Sequence, residues 1–336
     1  MKILVTLEQG RTWDIYYSPE ICAKLESFGE VTYNKSAKPF TPDELKHHLE
    51  EGITVCLTHW GCPSFNETTL SENTSLRFIA HGAGTVADLV SDYVYQKGIK
   101  VSSSNDVMAK FVAEGCMAYI LSALRLVPEA DRLMKQGEKW PYLRPRIDCL
   151  YYKKISLIGF GAVARNLCKL LRPFEVYIQT CDPFITKEDL ESSGFGDVKL
   201  VSFEEALSTA GIVSLHAALT PETVGLIGEA ELKMISDGAL LLNTSRGKVI
   251  DEKALVAELS KRRFRAVLDV FEKEPLPLES PLRALDNVIL IPHLGGSSSK
   301  QYLTLAMLEE IECFLKGEPL RHEVSSTAYS RMTRHL

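Results

Sequence analysis

The sequence predicts an α/β protein built on doubly wound parallel sheets, and three observations support this fold class. Short apolar runs alternate with helix-length amphipathic stretches along most of the chain, as in proteins whose strands are joined by helices. The length of 336 residues suits two domains of about 150 residues each. A Gly-Phe-Gly turn, residues 159–161, connects a predicted strand to a predicted helix.

The composition limits the classes of partner. Hydrophobic residues make up 45% of the chain and charged residues 24%, which is typical of a soluble globular protein. The net charge of −6 argues against a nucleic-acid partner, which would need a basic surface. The N-terminal apolar run is short, and no run is long enough to span a bilayer. We therefore expect no signal peptide and no membrane contact.

The eight cysteines favour free thiols. They include no Cys-x-x-Cys pair, and most lie inside apolar runs, so we expect a cytoplasmic protein in a reducing compartment. Cys56 and Cys62 are close enough in sequence for a disulfide or a metal site. No further cluster of His or Cys completes a zinc site around them, so we expect no metal.

The first hundred residues contain five predicted strands with helices between them. The strands are Lys2–Leu7, Glu30–Tyr33, Ile53–Thr58, Arg77–Ala80 and Ile99–Ser102. Helices are predicted over Ser18–Phe28 and Thr41–Glu50, each with a proline directly after its first residue. This block reads as a small flavodoxin-like domain. The apolar segment Asp106–Leu126 predicts a helix that leads out of it.

A second alternating series follows an irregular stretch, residues 136–150, which we interpret as a connection or a dimer-facing arm. Its six predicted strands are Lys154–Ile158, Glu175–Cys181, Ile212–His216, Gly238–Thr244, Arg265–Val270 and Val288–Ile291. Helices are predicted after Gly161, Thr186, Ser202, Glu229 and Asp251. The last helix, Ser298–Lys316, is expected to return to the first domain. The predicted domains are therefore 1–105 plus 300–336, and 106–299.

The Gly-rich turn predicts a dinucleotide site. Gly159, Phe160, Gly161, Ala162, Val163 and Ala164 form a G-x-G-x-x-A motif between strand and helix. The first glycine permits the tight turn, the second lets a pyrophosphate approach the backbone, and Ala164 is small enough for close packing. The helix N-terminus offers N–H groups to the phosphates. A plain glycine turn is the alternative interpretation.

Asp182 strengthens the dinucleotide interpretation. It ends the next predicted strand, where a carboxylate can accept hydrogen bonds from the adenosine ribose, although an Asp before Pro183 can also simply form a turn. Neither Pro183 nor Phe184 is basic, so a 2′-phosphate would meet a carboxylate, with a repulsion of about 1–4 kcal/mol. NAD(H) is therefore favoured over NADP(H).

Two residues at predicted strand ends could carry chemistry. Arg246 follows a strand and could hold a substrate carboxylate in a bidentate manner, or it could be a solvated loop residue. His293 also follows a strand and could give a proton to a carbonyl, or it could be structural. A nearby carboxylate would stabilise its charged form. Glu274 and Glu272 are both candidates, and spacing does not choose between them.

Residues from about 77 to 300 resemble the D-2-hydroxyacid dehydrogenase family. The matching segments are HGAG, VAEGCMAYILSALR, GFGAVA, LHAALTPETVGLI, LLNTSRGKVIDEKAL, LDVFEKEPLP and IPHLGGSS. Their order and spacing both agree with the family. The resemblance implies two Rossmann-like domains with the active site in the interdomain cleft, NAD as cofactor, and usually a homodimer.

The resemblance also implies roles for individual residues. Arg246 would bind the substrate carboxylate, His293 would be the acid/base, and Glu274 would be its partner. Further candidates for binding the cofactor are His216, Ala217, Thr244, Asp269 and Gly295, with Asp269 near the nicotinamide carboxamide. Candidates for binding the substrate are His81, Gly82, Ala83 and Gly84, the glycine loop offering its N–H groups.

The chain departs from the family pattern at three places. The turn reads Val163-Ala164-Arg165 where the family usually has Arg-Ile-Gly, and HAAL (residues 216–219) lacks a usual proline. The segment after the glycine loop reads TVADLVSD, residues 85–92, in place of Asp-Asn-Ile-Asp. Because this change lies at the substrate loop, it affects the identity of the substrate more than the type of reaction.

The predicted function is an NAD(H)-dependent D-2-hydroxyacid dehydrogenase or 2-oxoacid reductase acting on a small 2-oxo or 2-hydroxy acid. An NAD(H)-sensing binding protein without catalysis, like the transcriptional corepressors that resemble this family, remains an alternative. Phosphite chemistry also stays open. Formate is disfavoured because formate enzymes usually carry a Gln beside the histidine, where this chain has Glu274.

Overall fold

The computed structural model describes residues 1–72, 74–296 and 300–334 and divides the chain into two compact units. The first unit comprises Met1–Met108 and Ser298–Leu336, and the second comprises Ala109–Ser297. The sequence analysis places the first boundary at residue 105, and the structure places it at residue 108, inside a long helix. The predicted beginning of the last helix, Ser298, lies outside the described residues.

Twelve strands and thirteen α-helices lie in the described part of the chain. The strands are β1 (Lys2–Val5), β2 (Glu30–Tyr33), β3 (Val55–Thr58), β4 (Phe78–His81), β5 (Lys100–Ser103), β6 (Lys154–Ile158), β7 (Tyr177–Cys181), β8 (Lys199–Leu200), β9 (Ile212–Leu215), β10 (Leu240–Asn243), β11 (Arg265–Leu268) and β12 (Val288–Leu290). The helices are α1 (Trp13–Tyr16), α2 (Pro19–Glu26), α3 (Pro42–Glu50), α4 (Asp92–Gln96), α5 (Asn105–Leu124), α6 (Val127–Lys135), α7 (Ala162–Leu171), α8 (Lys187–Ser192), α9 (Phe203–Ser208), α10 (Glu229–Met234), α11 (Glu252–Ser260), α12 (Lys300–Lys316) and α13 (Ser326–Ser330).

The first unit is built on a five-stranded parallel sheet in the order β2-β1-β3-β4-β5. Successive residues of β1 point to opposite faces: Leu4 packs into one apolar cluster, while Ile3 and Val5 pack into another. Both faces are therefore buried, which explains why the strands read as continuous apolar runs.

Helix caps confirm two of the predicted helix starts. The hydroxyl of Ser18 accepts a hydrogen bond from the backbone N–H of Ile21 at the start of α2. Thr41 and Glu44 form a reciprocal capping box at the start of α3. The short helices α1, α4 and α13 were not predicted, because four or five residues carry too little periodicity to be recognised.

The second unit contains a seven-stranded parallel sheet in the order β12-β11-β10-β9-β6-β7-β8. The prediction of six strands was wrong, because it missed β8 at the edge of the sheet. This strand has two residues, both exposed, so it carries no apolar signal. The sheet again separates two apolar clusters, with Leu240 and Leu242 on one face and Leu241 on the other.

The helix α5 is long and apolar enough, by length and composition alone, to cross a membrane, with a mean hydropathy of 1.5. The expectation that no apolar run has this length is therefore too strong. The core helix of a soluble protein passes the same test, and α5 carries buried residues along its length, among them Ala113, Cys116 and Ile120.

The connection between α5 and β6 contains one further helix that the sequence analysis did not predict. Leu126 adopts a left-handed conformation, with φ of 55°, and α6 begins directly after it. The rest of the connection includes a short 3₁₀ helix at Arg144–Arg146 and two highly exposed aromatic side chains, Trp140 and Tyr142.

Candidate active site

One edge of the seven-stranded sheet carries most of the predicted site residues. Parallel strands present their carboxyl ends at the same edge, where α/β sheets bind ligands. Directly after β6, β7, β9, β10, β11 and β12 come, in that order, Gly159, Asp182, His216, Thr244, Asp269 and, three residues after its strand, His293. The sheet therefore brings the predicted cofactor residues and the predicted acid/base to one side of one unit.

The glycine turn has the backbone that a dinucleotide site needs. Gly159 has φ of +88°, and a Cβ atom there would lie 2.9 Å from the backbone nitrogen of Ala217. Gly161 is the N-cap of α7, has no side chain to cap the helix, and has open space where a Cβ would be. Ala164 is fully buried in the apolar core beneath the turn. The first-turn N–H groups of α7 thus lack a side-chain acceptor from the N-cap, which suits a phosphate.

Asp182 holds the turn together from the neighbouring strand. Its Oδ2 accepts a hydrogen bond from the backbone N–H of Phe160 at 2.8 Å, and its Oδ1 accepts one from Phe184 at 2.9 Å. The second bond forms the turn that was the alternative interpretation of this residue, and the first bond ties Asp182 to the glycine turn. Arg165, which no motif singled out, donates from Nε to the carbonyl of Phe160 at 3.1 Å.

The middle of the edge is polar but uncharged. The Nε2 of His216 lies 2.9 Å from the hydroxyl of Ser214, and burial lowers the pKa of His216, which keeps it neutral. The hydroxyl of Thr244 lies 3.1 Å from the thiol of Cys116 on α5. These contacts place Thr244 against the core of the unit.

Arg246 lies on a tightly packed loop after β10. Its Nη1 donates to the carbonyl of Ser245 at 2.7 Å, and its own carbonyl accepts from Nδ2 of Asn243 at 3.0 Å. A Cβ on the next residue, Gly247, would lie 1.8 Å from the carbonyl carbon of Phe271. Only glycine allows this contact, so the Arg246 loop is packed directly on the segment that leads to Glu274. In the sequence, the one sign of this close contact is the glycine at position 247.

Glu274, rather than Glu272, pairs with His293. The Oε2 of Glu274 lies 2.7 Å from Nδ1 of His293, and Oε1 accepts from the backbone N–H of Phe271 at 3.0 Å. The two side chains are 36% and 48% exposed, so the pair faces solvent. The backbone N–H of Glu272 instead donates to Glu252.

The backbone of His293 is held in an uncommon conformation. Its φ is 53°, in the left-handed region that few residues other than glycine adopt. Its N–H donates to the carbonyl of Asp269 at 2.9 Å. The carboxylate of Asp269 accepts from the N–H groups of Leu294 at 2.7 Å and Gly295 at 2.9 Å. Asp269 therefore clamps the loop that carries the histidine.

The Asp269 carboxylate is itself almost fully buried, with 1% of its residue surface exposed. Burial raises the pKa of Asp269, and the two backbone N–H donors and the nearby His293 act against this. This clamp could not be predicted from the sequence, because hydrogen bonds from backbone N–H groups leave no pattern in it.

The predicted substrate residues lie in the first unit. Nδ1 of His81, at the end of β4, lies 2.9 Å from the hydroxyl of Thr58, and burial lowers the pKa of His81 to about 3. Gly82 packs against the buried His59 ring, and Ala83 is fully buried. The hydroxyl of Ser103 donates to the carbonyl of Gly84. The loop is thus fixed from below by side chains of its own unit.

The cysteines form no disulfide: all eight thiols are free, including those of Cys56 and Cys62. The disulfide interpretation of that pair is therefore wrong. Within residues 1–72, 74–296 and 300–334, no group of three or more His, Cys, Asp and Glu side chains has the arrangement of a metal site.

Comparison with known families gives a match over residues 117–295, which is more than half of the chain. The matching family is described as D-isomer specific 2-hydroxyacid dehydrogenase, NAD binding domain. The chain belongs to this family. The matched region contains the dinucleotide turn, Asp182, Arg246 and the His293–Glu274 pair, and the family domain is the one that binds the nicotinamide dinucleotide.

The relatives of this chain include phosphoglycerate dehydrogenases and glyoxylate reductases. A D-3-phosphoglycerate dehydrogenase from Methanocaldococcus jannaschii is 34% identical over 88% of this chain and 55% of its own length. A glyoxylate reductase from Korarchaeum cryptofilum is 34% identical over 72% of this chain and 74% of its own length. The chain therefore spans about half the length of the phosphoglycerate dehydrogenases that it matches.

Solved structures show the same fold over nearly the whole length of this chain. A phosphoglycerate oxidoreductase from Rhizobium etli is 25% identical, with a TM-score of 0.78 over 96% of this chain and 97% of that chain. The apo D-mandelate dehydrogenase of Rhodotorula graminis is 21% identical, with a TM-score of 0.81 over 97% of each chain. The two parallel sheets predicted from the sequence are thereby confirmed as an architecture of 2-hydroxyacid dehydrogenases.

Proposed function

We propose that the chain is an NAD(H)-dependent D-2-hydroxyacid dehydrogenase that can reduce a small 2-oxoacid. The observation that carries this proposal is the pairing of His293 with Glu274 at 2.7 Å, on the same sheet edge as the dinucleotide turn. A carboxylate beside an imidazole favours the protonated ring, which is the form that reduction of a carbonyl requires.

The residues at the turn fit a nicotinamide dinucleotide. Gly161 exposes backbone without a side chain, and the α7 N-terminus offers N–H groups and a positive dipole to the pyrophosphate. Asp182 would accept hydrogen bonds from the adenosine ribose while it keeps its bond to Phe160. When bound there, the dinucleotide supplies the hydride of the reaction.

The chain's own residues would bind the acid and move the proton. Arg246 would grip the substrate carboxylate with its guanidinium. In the first unit, the backbone N–H groups of Gly82–Gly84 stay our candidates for binding the substrate. Glu274 accepts from Nδ1 of His293, which leaves Nε2 as the atom that would give its proton to the carbonyl oxygen. In the oxidative direction the same nitrogen would take the proton from the hydroxyl group.

We further propose that NAD(H) is preferred over NADP(H). The carboxylate of Asp182, which accepts backbone hydrogen bonds from Phe160 and Phe184, would repel the 2′-phosphate of NADP(H).

We also propose that the protein is cytoplasmic and that it forms a homodimer. The exposed aromatic rings of Trp140 and Tyr142, in the 136–150 segment, support an interface there.

The proposal is tested by following NADH oxidation with glyoxylate, hydroxypyruvate, pyruvate and branched or aromatic 2-oxoacids. We expect turnover of at least one acid. Arg246→Gln should raise KM for that acid by about 10- to 100-fold, because it removes a charged hydrogen-bond donor. Lys248→Gln, which removes a cation two residues further on, serves as the matched control and should leave KM unchanged. Tight NADH binding without turnover of any acid would instead favour the sensor alternative.

A further inference from the structure

A cationic and aromatic cluster lies at the carboxyl edge of the sheet in the first unit. We call it the Trp60 cluster and define it as Tyr16, His59, Trp60, Lys300 and Thr304. The ammonium nitrogen of Lys300 lies 4.2 Å from the centroid of the Trp60 ring, in the geometry of a cation–π contact.

The register of two elements builds this cluster. β3 ends at Thr58, so the next two residues emerge at the ligand-binding edge of the sheet, with His59 buried and Trp60 44% exposed. Lys300 and Thr304 are four residues apart on α12 and therefore share one face of that helix. Thr304 lies 3.2 Å from Nε2 of His59, while Lys300 lies over Trp60.

The cluster lies directly beneath the loop that we propose as a substrate carboxylate site. A Cβ on Gly82 would lie 2.6 Å from Nε2 of His59, so this glycine packs directly against the ring of His59. Tyr16 packs edge-on against the ring of His59, with centroids 4.7 Å apart. A substrate held at Gly82–Gly84 would therefore bind next to these side chains.

The positive charge of the cluster belongs to Lys300. Burial lowers the pKa values of His59 and His81 to about 3, so both rings are neutral at physiological pH. Lys300 is half-buried, and this burial lowers its pKa from the usual value. A partly desolvated ammonium interacts more strongly with an anion than a fully hydrated one does.

We infer that Lys300, placed over Trp60, selects acids that carry a second anionic group at the end remote from the reacting carbonyl. This inference rests on the proposed function. This second group would be an oxyanion, which can be either a carboxylate or a phosphate. Trp60 holds the lysine in place, and Lys300 provides the charge.

The test compares acids that differ in the distal group. 2-Oxoglutarate is paired with 2-oxohexanoate, whose distal end is uncharged, and 3-phosphohydroxypyruvate is paired with hydroxypyruvate. We expect kcat/KM to be about 10- to 100-fold higher for the anionic member of at least one pair, as for a hydrogen bond to a charged group. The pair that shows the larger ratio identifies the carboxylate or the phosphate.

Lys300→Met should remove this preference. KM should rise for the acid with the charged distal group, while kcat for the acid with the uncharged distal end stays the same. Lys300→Arg should keep most of it. Lys97→Met is the matched control, because Lys97 also lies over an aromatic ring, that of Tyr93, at 5.1 Å but outside the cluster. A merely structural role of Lys300 would change both members of a pair equally.

Two results would overturn the inference and are distinguishable. If acids are turned over but the ratio within each pair is near one, or phenylpyruvate is preferred, the proposed function stands and the role of Lys300 does not. If no acid is turned over at all, the proposed function fails and the inference fails with it.

Discussion

The two units use histidine in opposite ways. In the second unit, His293 is nearly half exposed, has a carboxylate 2.7 Å from one ring nitrogen, and lies on a backbone held in the left-handed region. In the first unit, His59 and His81 are almost fully buried, and their ring nitrogens face hydroxyl groups of Tyr17, Thr304 and Thr58.

The difference lies in the surroundings of the rings and not in the residue type, and we propose that it decides which histidine can move protons. Burial without a carboxylate partner holds His59 and His81 neutral. Neutral, buried rings of this kind suit a structural role in packing against the Gly82–Gly84 loop. His293 instead combines solvent access with a carboxylate partner, the arrangement that we propose for proton transfer. Replacing a histidine ring or its carboxylate partner should therefore have different effects in the two units.

The largest effect is expected from removing the ring of His293. His293→Ala should lower kcat by about 10²- to 10⁴-fold, the usual contribution of general acid catalysis. NADH affinity, measured by fluorescence titration, should stay unchanged, because the dinucleotide turn is built by β6, β7 and α7. Turnover at the normal rate in this variant would exclude His293 as the proton donor.

A smaller loss is expected when the partner of His293 loses its charge. Glu274→Gln keeps a hydrogen-bond acceptor for Nδ1 but no longer stabilises the protonated ring, so kcat/KM for reduction should fall about 10- to 100-fold. Glu272→Gln is the matched control, since its exposed side chain lies on the same segment. Equal losses in both variants would contradict the assignment.

The sequence was informative wherever a residue's chemistry depends on its position along one strand or turn. The glycine turn, Asp182, Arg246 and His293 all follow apolar runs directly, and parallel strands necessarily bring their carboxyl ends together. Most of the strands were also predicted within a few residues, because both faces of each sheet are buried and the runs stay apolar.

The sequence was uninformative wherever the answer depends on contacts between distant segments. Spacing could not separate Glu274 from Glu272, because the choice depends on how the loop after β11 folds back toward His293. The clamp from Asp269 to the backbone of Leu294 and Gly295 joins segments 25 and 26 residues apart through main-chain groups, which every residue has. Lys300 was not singled out for the same reason, since its contact with Trp60 spans most of the chain.

The buried histidines predict a dependence of stability on pH. Their folded pKa values are about 3, below the usual 6.5, so between these values the unfolded chain binds more protons than the folded one. The free energy of unfolding should therefore fall as the pH is lowered from 6.5. Each histidine contributes about 1.4 kcal/mol per pH unit, or about 2 kcal/mol at pH 5.

Urea unfolding between pH 7 and pH 5 measures this slope. His59→Gln keeps a side chain that can bond to the hydroxyl of Thr304 but does not titrate. Averaged from pH 7 to pH 5, its slope should be smaller than that of the unchanged protein by about 1 kcal/mol per pH unit. His47→Gln is the control, because the side chain of His47 is 76% exposed and its replacement should leave the slope as it is. If His59→Gln and the unchanged protein lose stability in parallel, His59 is protonated in the folded state. The charge of the Trp60 cluster would then no longer belong to Lys300 alone.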